Sequence, residues 1–267
     1  LDPVMIFGLG PCPAMGIQGA AIATVIGQAV SLICYLIAQA RGLLYLRLSL
    51  KEGWQCRRLA GQLYSIGIPA ILNQALPSLL ITILNAILAA FSQTDILILG
   101  VYYKLQTFIY LTVNGIVQGI RPLVAYNYGA GMLERVREIF KTALCTAILV
   151  MAAGTVLCLL LPESLIGMFS ANTATVSAGA AALRIICGGF MVSSLSVVVC
   201  GTMEGLGFGV MSFLISLLRY VIVILPSAWL LSRIIGADGV WHAFWIAEHV
   251  TAVASAVIYR RVLRRIG

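Results

Sequence analysis

Glu248 is the one carboxyl group lying deep within an apolar stretch of this 267-residue chain, and Lys104, Arg184 and Arg219 are the only cations so placed. A charge at the centre of a bilayer costs roughly 2.5 to 3.5 kcal/mol, so these groups should face an interior and pair where they can. Arg219 and Glu248 lie at matching depth, nine or ten residues into helices entering from opposite sides, and are the expected partners. A carboxylate beside a cation in a partly dry cavity can be switched by protonation, which makes Glu248 and Arg219 candidate ion-coupling residues; a structural ion pair is the plainer alternative. Arg184 lies near enough to an interface to snorkel. Glu204, just before Gly205-Leu206-Gly207, has a solvated helix end as its default reading and a gate as its sharper one.

A second set of residues is polar and regularly spaced. Tyr103, Thr107, Tyr110, Asn114, Gln118 and Arg121 step by four, three, four, four and three residues, which holds all six within about 80° of one helical face. Ile109, Leu111 and Val113 fall on other faces. Gln74, Ser78 and Asn85 form a shorter row, as do Ser212, Ser216 and Arg219, while Thr24, Gln28, Ser31, Tyr35 and Gln39 line the first apolar stretch. Such a stripe is too costly to face lipid. It either hydrogen-bonds helix to helix or lines a water-filled passage. The candidate cavity-lining residues are Gln74, Ser78, Tyr103, Lys104, Thr107, Tyr110, Asn114 and Gln118.

Other chemistry is not supported. The seven cysteines form no CxxC pair, and His242 and His249 have no clustered partners, so no metal site is expected. No Ser/His/Asp constellation, phosphate loop or dinucleotide fingerprint occurs, so neither an enzyme nor a cofactor is expected. Gly129-Ala130-Gly131 reads as a turn.

Seven apolar stretches would carry these residues: approximately Ile17 to Ala40, Tyr64 to Ala90, Ile96 to Ile120, Thr142 to Leu161, Ser177 to Cys200, Val210 to Leu231 and Gly239 to Tyr259. Each has the ~20 residues that a ~30 Å hydrocarbon core demands of a helix. With 61% of residues hydrophobic and 10% charged, a soluble domain is excluded, and the runs are too continuous for barrel strands. The expected fold class is an all-α polytopic membrane protein with seven transmembrane helices. Of the 17 basic residues, thirteen lie at alternate connections, after the first, third and seventh stretches, and only Arg233 lies on the other side. That bias places the N-terminus of the chain outside and its C-terminus in the cytoplasm of a cell-membrane protein. The net charge of +8 thus reflects topology and carries no nucleic-acid meaning. Pro77 and Pro226 should kink their helices, and Pro69 lies near a helix entry.

The two ends resemble each other. Gly16, Gly19, Ala23, Gln28 and Arg41 correspond to Gly236, Gly239, Ala243, Glu248 and Arg261 at a constant offset of 220, which spans six helices. Internal repeats of this kind build many transporters. The expected organisation is an extracytoplasmic loop and the last helix of an N-terminal lobe in residues 1–40, a basic cytoplasmic linker in 41–62, and a six-helix C-terminal lobe in 63–267. The rest of the N-terminal lobe would lie upstream of Leu1.

The opening LDPVMIFGLGPCPAMGIQGAAIATVIGQ, the IGIPAILNQ of the second stretch, QGIRPLVAYNYGAGMLERVRE after the third, SLLRYVIVILP in the sixth and GADGVWHAFWIAEH in the seventh resemble the multidrug and toxic compound extrusion (MATE) transporters, over essentially the whole chain. The resemblance implies a twelve-helix exporter of two six-helix lobes, alternately open to each side of the bilayer and driven by sodium or proton entry. Its sodium-coupled members commonly place an acid midway along the helix after the linker and another in the fourth helix of this lobe. Here the matching stretches offer Gln74, Pro77 and Ser78, then no acid before Glu204.

Three readings follow. The first is an antiporter that exports small organic, cationic drugs or metabolites. The second is a related flippase for lipid-linked sugars, suited to the excess of buried cations, and the third a seven-helix receptor. The expected partners are the lipid bilayer, a small-molecule substrate, a proton or sodium ion and the missing lobe.

Overall fold

The structure, a computed structural model, describes residues 1–8, 13–42 and 57–266, and every regular element among them is helical. Residues 43–56, most of the expected linker, lie outside the described residues. The chain divides into two units, 1–60 and 61–267.

In the first unit α1 (Asp2–Phe7) packs on α2 (Ile17–Ala40), and the backbone N–H of Met15 donates to the Met5 carbonyl at 3.0 Å. The 24 residues of α2 span about 36 Å, enough to cross a bilayer. Val25, Val30, Leu32 and Leu36 are more than half exposed, as a lipid-facing coat would be. Its polar row is partly satisfied from within, because the Thr24 and Ser31 hydroxyls donate to the Ala20 and Gly27 carbonyls, both at 2.9 Å.

The second unit begins within α3 (Arg57–Leu88), which contains both Pro69 and Pro77. Then come α4 (Gln93–Gly129) and α5 (Leu133–Leu160). At 37 residues, about 55 Å, α4 outruns the expected third stretch at both ends. The Ser92 hydroxyl accepts from the Asp95 backbone N–H at 3.2 Å to cap its start, and Pro122 lies inside it without ending it. A short α6 (Pro162–Gly167) leads to α7 (Thr173–Cys187) and α8 (Phe190–Gly205). After α9 (Gly209–Leu217) the helix widens into a π segment, Leu218–Ile224, and continues as α10 (Leu225–Ile235) and α11 (Asp238–Ile266).

Two expectations change. The fifth stretch is not one straight helix: α7 and α8 meet at Gly188-Gly189 with a bend of 55°. A side chain at Gly189 would bring its Cβ to 2.9 Å from Glu248 Cγ and 3.2 Å from Trp245 Cα, so bare backbone at the bend lets α8 seat on α11. The seventh stretch is a single 29-residue helix, but His242, Glu248 and His249 leave it short of the apolarity of a lipid-facing span. It buries Trp241, Phe244, Ala247, Glu248, Thr251 and Ser255 instead, so protein rather than lipid surrounds much of it. Among the described residues five helices are long and apolar enough to cross a membrane, six when α7 and α8 count as one bent span, and they make this a multi-pass membrane protein.

The sixth stretch bends as expected, in a particular form. Pro226 has no N–H for the Ile222 carbonyl, and the turn before it opens into the π segment, which carries Arg219.

The core lies where α4 packs on α5, α7 and α8, and where α8 packs on α11. Leu84, Leu99, Val113, Val124, Met151, Val198 and Met203 are fully buried there. Gly201 and Gly205, one turn apart on α8, face Val117, Val124 and the Arg121 carbonyl of α4, so the two backbones approach closely. In lipid this close van der Waals contact, rather than a hydrophobic drive, holds helices together.

The apparent repeat has a local counterpart. Gly16 and Gly236 both adopt positive φ, 56° and 74°, just before a long helix. A Cβ at Gly19 would strike the Met5 carbonyl, and one at Gly239 the Leu231 carbonyl, so each helix start presses against the backbone of the preceding helix.

Candidate functional site

A cavity of about 450 Å³ lies among α3, α4, α8, the π segment and α11. A second cavity of about 340 Å³ shares Asn73, Gln74, Asn114, Val117, Arg121 and Glu204 with it and adds Gln118. Because α4 presents one face over several turns, Tyr103, Thr107, Tyr110, Asn114 and Arg121 line the larger cavity together. From α3, Asn73, Gln74, Pro77 and Ile81 oppose them.

Two expected lining residues lie elsewhere. The exposed Lys104 places Nζ 5.6 Å from the centre of the Phe169 ring, and the exposed Ser78 is not part of either cavity wall. Each is turned roughly 90 to 100° around its helix from the mean direction of the cavity-facing residues, at 100° per residue. Leu111, expected on another face, does line the cavity. Arg184 points toward Glu163 at 3.9 Å with both side chains more than half exposed.

The wall changes character along its length. At one end are aromatic groups: Phe244 packs edge-on against Tyr102 and Tyr103 with centroids 5.1 and 6.4 Å apart. The Tyr110 ring meets Phe190 edge-on at 5.8 Å. Ser193 donates its hydroxyl hydrogen to the Phe190 carbonyl at 2.7 Å, so Tyr110, 2.7 Å from the same oxygen, must be the donor to it. The buried Tyr103 hydroxyl has no hydrogen-bond partner among the described residues and belongs to a cavity-lining side chain.

Arg219 and Glu248 meet in this cavity. Arg219 Nε donates to Glu248 Oε1 at 3.0 Å and its Nη2 to Oε2, a fork that satisfies both carboxylate oxygens. The guanidinium carbon also stands 5.7 Å from the centre of the Tyr220 ring. Only 10% and 8% of the two side chains are exposed, so the pair is shielded yet borders open space.

Sequence reasoning underrated the other end. Glu204 is not a solvated terminus: its side chain is 19% exposed and ion-paired with Arg121. Its Oε1 accepts from Ser212 Oγ at 2.7 Å and from Asn73 Nδ2 at 3.2 Å, and Asn73 also reaches Ser212 Oγ at 3.3 Å. Arg121 Nη1 donates to Gln118 Oε1 at 2.8 Å. One carboxylate thus joins α3, α4, α8 and α9, and every partner donates, which suits an ionised acceptor. A signal was present in the sequence: Gly201 and Gly205 bracket Glu204 and draw its helix onto the one carrying Arg121.

No group of three or more histidine, cysteine or acidic side chains that could hold a metal occurs among the described residues. The donor set is one of amides, phenols and two compensated ion pairs, suited to binding a solute reversibly.

Comparison with known proteins agrees with this geometry. The multidrug export protein MepA of Staphylococcus saprophyticus is 25% identical over 258 residues, which are 97% of this chain and 56% of that protein. MepA of Staphylococcus haemolyticus is 25% identical over 260 residues, again 97% of this chain and 56% of the relative. The chain therefore spans little more than half the length of these relatives. A crystal structure of MATE in complex with MaL6 superposes with a TM-score of 0.90 at 18% identity, covering 100% of this chain and 60% of that one. The Vibrio cholerae MATE transporter VcmN in the bent form gives 0.80 at 21% identity, covering 100% and 59%. These relatives are exporters rather than enzymes. The MatE family model matches residues 69–230, well over half of the sequence and nearly all the elements that build the cavity, and the chain belongs to the MatE family of multidrug efflux transporters.

Proposed function

We propose that this chain supplies the last helix of one lobe and the whole of a second, six-helix lobe of a secondary active antiporter. It exports small organic cations by alternating access, coupled to proton or sodium entry. The seven apolar stretches are then all spans, with the bent α7–α8 pair as one and α11 as the last. The N-terminus of the chain lies outside and its C-terminus in the cytoplasm. Relatives of nearly twice this length support a second lobe as the partner needed to close the cavity.

The observation that carries the reading is the shielded Arg219–Glu248 fork in the wall of a polar cavity. An organic cation entering between the aromatic side chains competes with Arg219 for the carboxylate. A proton on Glu248 releases both. Cargo and proton thus exclude one another at a single group, which is what exchange requires.

The intact protein in proteoliposomes, given a fluorescent organic cation and either a pH or a sodium gradient, tests this. Export against the dye gradient under one of the two is expected, and mere equilibration under both contradicts it. Glu248→Gln, less stable than wild type but still inserted, should lose the dependence on the pH gradient; wild-type dependence in that variant places the coupling acid elsewhere.

A further inference from the structure

Pro77 divides α3 into halves held in different ways. Beyond it, Leu80, Leu84 and Leu88 are 2%, 0% and 0% exposed and belong to the core. Before it, Leu63, Tyr64, Ile68 and Ile71 are 70%, 66%, 51% and 68% exposed, and among the described side chains of 61–76 only Leu76, next to the proline, is buried, so most of that half has little apolar purchase on the lobe. Asn73 fastens it: its side-chain amide donates to Glu204 Oε1 and to Ser212 Oγ. Since proline has no N–H, the Asn73 carbonyl lacks its helical donor, and the backbone is weakened between the fastening and the leucine anchor.

We propose that the segment 61–76 is a hinged flap over the cavity, closed by a latch of Asn73, Glu204, Ser212 and Arg121 and turning at Pro77. Asn73 and Gln74 line both cavities, so movement of this half changes their width and access directly. Glu204 is the keystone. Arg121 holds one of its oxygens, and Asn73 and Ser212 share the other. The Gly201 and Gly205 contacts keep Glu204 and Arg121 on a fixed platform of α8 and α4, and Asn73 is the mobile party. Asn73 and Glu204 act as positioning residues, setting how α3 stands rather than contacting cargo chemistry. The idea extends the transport reading but rests on the cavity geometry alone.

The test reads distance rather than transport, so it can fail while the transport reading stands, and the reverse. In the intact protein, with the seven native cysteines replaced, spin labels at Tyr64 and Met132 report the half before Pro77, and labels at Leu79 and Met168 the half beyond it. Wild type should give one narrow distribution for each pair. Asn73→Ala, and independently the isosteric Glu204→Gln, should add a second, longer-distance population to the Tyr64–Met132 pair and leave Leu79–Met168 unchanged. Adding Pro77→Ala to Asn73→Ala should remove that population. If neither single variant alters the first pair, there is no latch; if both pairs broaden together, or if Pro77→Ala has no effect, there is no hinge at Pro77.

Discussion

Removing one member of the Arg219–Glu248 pair should be among the most destabilising single changes in the second unit. The two side chains retain 10% and 8% exposure, so Glu248→Ala leaves a guanidinium with little access to water and no counter-charge. Breaking a buried pair from one side costs about 3 to 5 kcal/mol. At the roughly 2 to 4 °C per kcal/mol typical of domains of 150 to 250 residues, that is a fall of roughly 6 to 20 °C in unfolding midpoint. The paired replacement Arg219→Met with Glu248→Leu removes both charges and keeps the volume, and it should return the midpoint to near the wild-type value. With the other five cysteines replaced, thermal unfolding in detergent can be followed with a thiol-reactive dye, since Cys158 and Cys187 are buried and react only on opening. If Glu248→Ala melts within about 2 °C of wild type, the pair is not desolvated as described. A double variant as unstable as the single would show that the charges are not what couples the two positions.

Gly189→Ala should destabilise by about 1 to 3 kcal/mol in the same assay, because its methyl would lie 2.9 Å from Glu248 Cγ, whereas Gly115→Ala, with nothing within 4 Å, should not. Tyr110→Phe removes one hydrogen bond to Ser193, whose own bond to the Phe190 carbonyl persists, and should cost about 1 kcal/mol by the same measurement. Lys104→Ala, lying outside the cavity over Phe169, should leave export of an organic cation by the reconstituted protein unchanged.

The parts of the fold that depend on periodicity were legible from residue order. The stripe on α4 could be read because a helix repeats one face every three to four residues, and five of its six members share the larger cavity. The Arg219–Glu248 contact followed from depth, since two isolated opposite charges in an apolar medium have few other partners. What remained hidden depends on three-dimensional contact. The bend at Gly188-Gly189 is specified by what Gly189 touches on α11, and hydropathy averages across it. The last helix read as a span like the others because its apolar residues dominate a window, although Glu248, Thr251 and Ser255 are buried where it packs on α8 and the π segment. Glu204 looked solvated because its partners come from three other helices: Ser212 lies eight residues on, while Arg121 and Asn73 lie 83 and 131 residues earlier in the chain. Lys104 and Ser78 show the limit of the polarity argument: a polar residue one step off a stripe leaves the cavity entirely.

The central claim, that cargo occupies the cavity of this lobe, is tested most directly by protection from modification. In the intact protein lacking its native cysteines, Asn114→Cys lies in the cavity wall and Lys104→Cys on an exposed face beyond it. A saturating organic cation should slow the reaction of a small charged thiol reagent at position 114 and leave its rate at position 104 unchanged. Equal rates at position 114 with and without the cation, in protein that exports that cation, would contradict the account.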